Sequence, residues 1–201
     1  MQPPRSGTVP AGWSGIRADL AHYARIHGAT TAVAKVLLPL RAPSLLALAV
    51  YRFGRWAYGR PRPAPIALPV KALYRVLFWT VRKLTRVGIA QTARIGAEVW
   101  LASGAPLVVM ASIGRGSVLL GSNTLGSGGG PGARGAPRLG ERVVVGPGAV
   151  LFGPIEVPDG CVIGPNSVVR ESLAAPGAYL GAPVRPFDGP PQALIPAWRA
   201  P

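Results

Sequence analysis

The sequence is poor in the residues on which most protein chemistry relies. Its 201 residues include a single cysteine, Cys161, which excludes an internal disulfide and a cysteine-based metal cluster. Its two histidines, His22 and His27, are too few for a three-histidine zinc site, so no metal is expected. Acidic residues number 7 against 22 basic ones, a formal net charge of +15. Lys35, Lys71 and Lys83 are the only lysines, so the positive charge is almost all arginine. That excess fits attraction to anions such as nucleic acid, acidic lipid, acidic polysaccharide or nucleotide phosphates, and equally a solvated arginine-rich surface. No run of about five consecutive basic residues marks a nucleic-acid arm, and aromatic and basic residues are not interleaved, so nucleic acid is not an expected partner.

Long apolar runs are also missing. The longest, Ala42 to Tyr51, is bracketed by Arg41 and Arg52 and reaches about half of the roughly 20 residues that a membrane span needs. It reads as a buried helix, with peripheral membrane contact as the alternative. The opening segment MQPPRSGTVPAGWSG lacks the apolar centre of a secretory signal. A cytoplasmic location, membrane-peripheral at most, is the expectation.

What the chain has in abundance is glycine, proline and aliphatic residues: 27 Gly, 23 Pro and 49% hydrophobic residues overall. Such a mixture suits many turns around a narrow aliphatic core. Residues 1–12 read as a flexible tail. An α-helical region is predicted over 13–88, its first helix capped by Ser14 and running from Ile16 to His27, where Gly28 ends it. A second helix should run from near Pro43 to Gly59, and RPRPAP at 60–65 reads as a stiff linker. From Ile66 to Val87 the positions Val70, Leu73, Leu77, Val81 and Leu84 keep a helical period, with Arg75, Arg82, Lys83 and Arg86 between them. That amphipathic helix is expected to pack its stripe on its own protein, with a membrane surface as the alternative.

Beyond Gly88 the period changes to six. Aliphatic residues fall at Ile95, Leu101, Leu107, Ile113, Leu119 and Leu125, and after a longer step at Leu139, Val145, Leu151, Val157, Ile163 and Val169. A step of six is no helix period. It fits a triangular solenoid over 89–185 in which each hexapeptide gives one short strand and one turn, three of them close a coil, and the sixth side chain points to the axis. The stretch 127–138 breaks the period without core residues and should leave the solenoid as an exposed loop, while 186–201 reads as a C-terminal tail.

The succession IGAEVWLASGAPLVV, SIGRGSVLLGSNTLG, the Gly-rich loop, PRLGERVVVGPGAVLFGPIEV, CVIGPNSVV and GAPVRPF resembles the serine acetyltransferase family of hexapeptide-repeat acyltransferases, most closely its relatives in capsule and exopolysaccharide gene clusters. The resemblance implies a mainly β fold, a left-handed parallel β-helix behind the helical region. It also implies a homotrimer, with acetyl-CoA as co-substrate in the groove between subunits and acetyl transfer to the hydroxyl of serine or a sugar. In the family a histidine takes the hydroxyl proton. Here Ala102 stands at the position of its carboxylate neighbour, Ser103 at the position of the histidine, and Ala136 at that of a second histidine. An unactivated serine hydroxyl does not accept protons near neutral pH. On the cofactor side the resemblance points to Gly128, Arg134, Ala149, Ser167 and Arg185 as contacts. Two functions stay open on these residues: an acetyl-CoA-dependent O-acetyltransferase, or a catalytically impaired relative that serves as a trimeric scaffold or as a CoA- or partner-binding protein.

Overall fold

The computed structural model describes residues 9–10, 12–59, 61, 63–102, 107–128 and 135–194. Four helices come first: α1 (Gly12–Ile26), α2 (Ala32–Arg41), α3 (Ser44–Tyr58) and α4 (Ala64–Thr85). Helix α1 begins before Ser14, which therefore lies in its first turn and is not its cap. Helix α2 was not anticipated, because Pro39 hides its period, yet Thr31 is a readable start: its hydroxyl accepts from the Ala34 N–H at 3.1 Å. Helix α3 is the buried one, packing against α1 and α4 through Leu45, Leu48, Tyr51 and Arg52. At Gly54 the crossing with α4 is so close that a Cβ would run into the Tyr74 ring.

Helix α4 departs from expectation. Val70, Leu77 and Val81 are half-buried, but Leu73 and Leu84 are exposed, so the apolar stripe is only partly spent on α3. The helix has more apolar surface than one neighbour can cover.

From Val87 the chain winds through three parallel sheets. The first contains Val87–Ile89, Leu107–Val109, Thr124–Gly126, Val150–Phe152 and Val168–Val169. The second contains Arg94–Ile95, Ser112–Ile113, Arg138–Leu139 and Glu156–Val157. The third contains Trp100–Leu101, Val118–Leu119, Val144–Val145, Val162–Ile163 and Ala178–Leu180, with Arg185–Pro186 added antiparallel at its end. Successive strands visit the sheets in turn, which is the triangular coil that the step of six requires.

The registers confirm the stack except at one position. Ile113 pairs with Leu139, Leu119 with Val145 and Leu125 with Leu151, so the solenoid resumes in phase after the loop. In the first sheet, however, Leu125 pairs with Val109 and not with Leu107, which lies against Val87. Val109, fully buried, takes the axial place, two residues beyond the position that the step of six marks. The other eleven aliphatic positions are all buried.

A second inward position, two residues ahead of each axial one, escaped the sequence reading. Ala93, Val99, Ala111, Ser117, Asn123, Val143, Ala149, Ile155, Cys161 and Ser167 are all buried at the corners. Its polar members tie one coil to the next. The Ser117 hydroxyl accepts from Val143 N–H at 3.1 Å and donates to Gly140 O at 3.2 Å, while Asn123 Nδ2 donates to Gly146 O at 2.6 Å.

The C-terminal segment is not a free tail up to Leu194. After the hairpin, a short helix α5 (Pro191–Leu194) lays Leu194 on a small apolar cluster with Val118, Val144 and Ala178, outside the third sheet. Trp198 lies outside the described residues.

Truncating Leu151 in the axial stack is expected to lower stability by about 2–5 kcal/mol for Leu151→Ala. Leu151→Asp should cost more, since it leaves an unpaired carboxylate in a dry interior. Chemical denaturation of both variants checks the order; a Leu151→Asp protein as stable as wild type would contradict the register.

Candidate functional site

The open first coil is closed by the helical region through hydrogen bonds as well as apolar contact. The Arg52 guanidinium, fully buried, donates to both oxygens of Asp19 at 2.9 and 3.2 Å. It also donates to Pro10 O at 2.9 Å, Ile95 O at 2.6 Å and Gly96 O at 2.7 Å, so all five of its N–H groups are used. Tyr51 Oη donates to Ala93 O at 2.7 Å and accepts from Ile95 N–H at 3.1 Å. Ser44 Oγ donates to Leu101 O at 2.6 Å, and Tyr23 Oη accepts from Leu101 N–H at 2.9 Å. Helix α1 is thereby held against the residue just before Ala102.

The three corners of the prism carry different residues. At the corner after the third sheet, Ala102 stands above Leu120, Gly146 and Gly164, each N–H bonding to the coil below at 2.7–2.9 Å. Ala149 and Ser167 share this corner, but both side chains face inward: Ala149 fills the second stack, and the Ser167 hydroxyl accepts from Gly181 N–H at 3.2 Å. Only their backbone edge is left for a ligand. Gly128, half-buried, lies at the next corner, where the chain leaves the first sheet, and Ala136 stands where it returns. Arg185 is exposed on the terminal hairpin opposite Leu180. Ser103 and Arg134 fall outside the described residues. The structure thus groups Ala149 and Ser167, brings the segment before Arg185 to them through the Val184 N–H bond to Val168 O at 3.1 Å, and leaves Gly128 and Ala136 at another corner.

Besides Asp19 and the closing tyrosines, the titratable groups near the first coil include Glu98, His22 and His27. Glu98 accepts from Arg115 Nε at 2.8 Å and Arg25 Nη2 at 3.2 Å. These hydrogen bonds, Arg115 first, hold its carboxyl below the ordinary range. A carboxylate so stabilised is a weak proton acceptor and does not stand in for an imidazole. His22 is buried on α1, edge-on to the Tyr23 ring, and burial pushes its pKa below the ordinary 6.5, with Glu98 pulling the other way. His27 is exposed and stacked on the other side of Tyr23. Sequence reasoning overlooked Glu98 and its two arginines; they are distant in sequence and meet only through the helical cap.

No protein-family model matches the chain. It is similar to the serine acetyltransferase of Mycobacterium tuberculosis, 30% identical over 143 residues, which covers 70% of this chain and 59% of that protein. It is 33% identical over 141 residues to the serine acetyltransferase of Escherichia coli strain K12, covering 69% and 49% respectively. The chain therefore spans about half to three fifths of these relatives. Among solved structures, Neisseria gonorrhoeae serine acetyltransferase superposes with a TM-score of 0.68 at 25% identity, over 87% of this chain and 65% of that one. The Brucella abortus serine acetyltransferase in complex with coenzyme A gives 0.69 at 23% identity, over 87% and 67%. Coils, corners and helical cap define a hexapeptide-repeat parallel β-helix protein. Within that class the chain is a homologue of the serine acetyltransferases.

A buried histidine with a depressed pKa leaves a signature in stability. The unfolded chain takes up this proton first as pH falls, so the contribution of neutral His22 is complete above about pH 6.5 and is lost below it. The melting midpoint should fall between about pH 7.5 and pH 5.5. The drop should be smaller in His22→Gln, and calorimetry at the two pH values checks it.

Proposed function

We propose that this protein is an acetyl-CoA-binding acyltransferase homologue that transfers acetyl to a hydroxyl, of serine or a sugar, at a strongly reduced rate. Its coils wind left-handed, and three copies assemble with acetyl-CoA in the grooves between them. What carries the binding half is the similarity to serine acetyltransferases over 70% of this chain in sequence and 87% in structure. The positions that would flank a shared groove, Ala102 at one corner and Ala136 at another, belong to different edges of the prism. A pocket lined by both needs two copies side by side, which supports the trimer.

The reduced rate rests on the side chains at those positions. Ala102, Ser103 and Ala136 offer no imidazole and no carboxylate. A positioned general base contributes about a hundred- to ten-thousand-fold to such a step. Without one, transfer relies on holding the hydroxyl and the thioester carbon together. His22 and His27 belong to the end cap, one buried beside Tyr23 and the other stacked on it. Ligand contact at Ala149 and Ser167 runs through backbone edges, with Gly128, Arg134 and Arg185 as the flanking groups. The second reading, a CoA-binding scaffold with no turnover, is favoured by the same three residues.

Two measurements test this. Calorimetry should detect CoA and acetyl-CoA binding to the intact protein; no binding to either would overturn the acyltransferase reading. Thiol release from acetyl-CoA with serine or sugar acceptors should run far below an ordinary enzyme rate of about 10 per second. Ser103→His should raise it and Ser103→Ala leave it unchanged. Ordinary wild-type turnover would mean that another residue supplies the base, and His22→Ala and His27→Ala would then identify it.

A further inference from the structure

The outer side of α4 is an apolar surface that nothing among the described residues covers. Its inner side packs through Tyr74 and Thr85, both buried, and through half-buried Val70, Leu77, Phe78 and Val81. On the outside, Ile66 (54% exposed), Leu68 (69%), Leu73 (52%), Val76 (63%), Trp79 (58%) and Leu84 (74%) face solvent. At 3.6 residues per turn these six fall within one arc of roughly 160°, opposite the packed side. Along one flank of the arc run Lys71, Arg75, Arg82 and Arg86, and the Arg82 guanidinium sits 5.8 Å from the centre of the Trp79 ring. Helix α2 repeats the pattern on a smaller scale, with Val33, Val36, Leu37 and Leu40 exposed beside Lys35 and Arg41.

Charge decides what can cover such a face. Between residues 20 and 97 the chain has thirteen Lys or Arg and no Asp or Glu. A second copy of the same region would set like charges against each other with no acidic side chain to neutralise them. Nucleic acid would satisfy the charge but gives six exposed apolar side chains nothing to bury against. An anionic bilayer satisfies both, since its acyl boundary takes the apolar arc and its headgroups take the flanking cations. We propose that α4 docks this protein on an anionic lipid surface, lying in the plane of the interface. The helix is long and apolar enough to cross a membrane. Its packing on α3 through Tyr74 and its four-residue basic flank set it along the surface instead. The proposal is independent of acetyl transfer, because the outer face of α4 contains none of the corner positions.

The test is vesicle co-sedimentation of the full chain, with phosphatidylcholine vesicles either pure or containing about one quarter phosphatidylglycerol. Wild type should pellet with the anionic vesicles and about tenfold less with neutral ones. Val76→Glu with Trp79→Glu should weaken anionic binding by about tenfold or more. It should leave the far-ultraviolet circular dichroism and melting midpoint unchanged, because both side chains are exposed. Ile66→Ser with Leu73→Ser provides the same test on the other half of the arc should the first pair unfold. Arg75→Gln with Arg82→Gln should weaken it and reduce its salt dependence. The proposal is overturned by an absence of pelleting with anionic vesicles, or by anionic binding that the folded apolar variants leave intact. It is equally overturned by lipid-free self-association that the apolar variants abolish, which would give the face to a second copy.

Discussion

A solenoid has two ends, and each exposes an open layer of backbone groups and a cross-section of its core. Everything in this protein depends on how the first end is closed. The N-terminal coil meets four polar side chains from the helical region, Tyr23, Ser44, Tyr51 and Arg52, and each pairs with backbone N–H or C=O groups of residues 93–101. Arg52 is the centre of that closure. A guanidinium this deeply buried is tolerable only because every donor has an acceptor, one of them the carboxylate of Asp19. The pair fixes α1 to α3, one further donor holds Pro10 O, and the last two, on Ile95 O and Gly96 O, fix α3 to the solenoid, so two architectures become one body.

The asymmetry of buried ion pairs makes this closure testable. Removing Asp19 alone, as Asp19→Ala, strands a cation in the interior and should cost about 3–5 kcal/mol. Replacing both partners with apolar residues, Asp19→Leu with Arg52→Met, removes the charge altogether and should cost less. Denaturation curves of the single and double variants would show whether charge or packing holds the cap.

Much of the solenoid was legible because its core obeys a period that nothing else in proteins imitates. Eleven of twelve axial residues were assigned correctly from the step of six. Leu107 failed because a strict count of six cannot sense a shift of register between strands, and the pairing gives the axial role to Val109. The second inward stack was missed for a different reason. Its members are small or polar, Ala, Ser, Asn and Cys among Val and Ile, and hydrophobicity alone does not separate them from turn residues. Ala149 and Ser167 belong to it, so their side chains serve the corner. In the helical region, Pro39 concealed α2, and no local pattern announces that Arg52 and Asp19 will meet. Long-range pairing of a buried charge is invisible until the fold exists.

The same division separates the residues that hold this architecture from Ala102 and Ala136 at the corners. The inward stacks, the corner hydrogen bonds and the Arg52 closure supply the stability, and none of them draws on the side chains at Ala102 or Ala136, which are half-buried at corner turns. Changing an outward corner residue costs the solenoid little, whereas changing an inward one opens a cavity along the whole axis. Fold and chemistry are therefore under separate constraints in this molecule, and similarity carried by the repeats transmits the first without guaranteeing the second. The imidazoles that remain are those of the cap: His22 is buried and His27 stacks on Tyr23, the residue that binds Leu101.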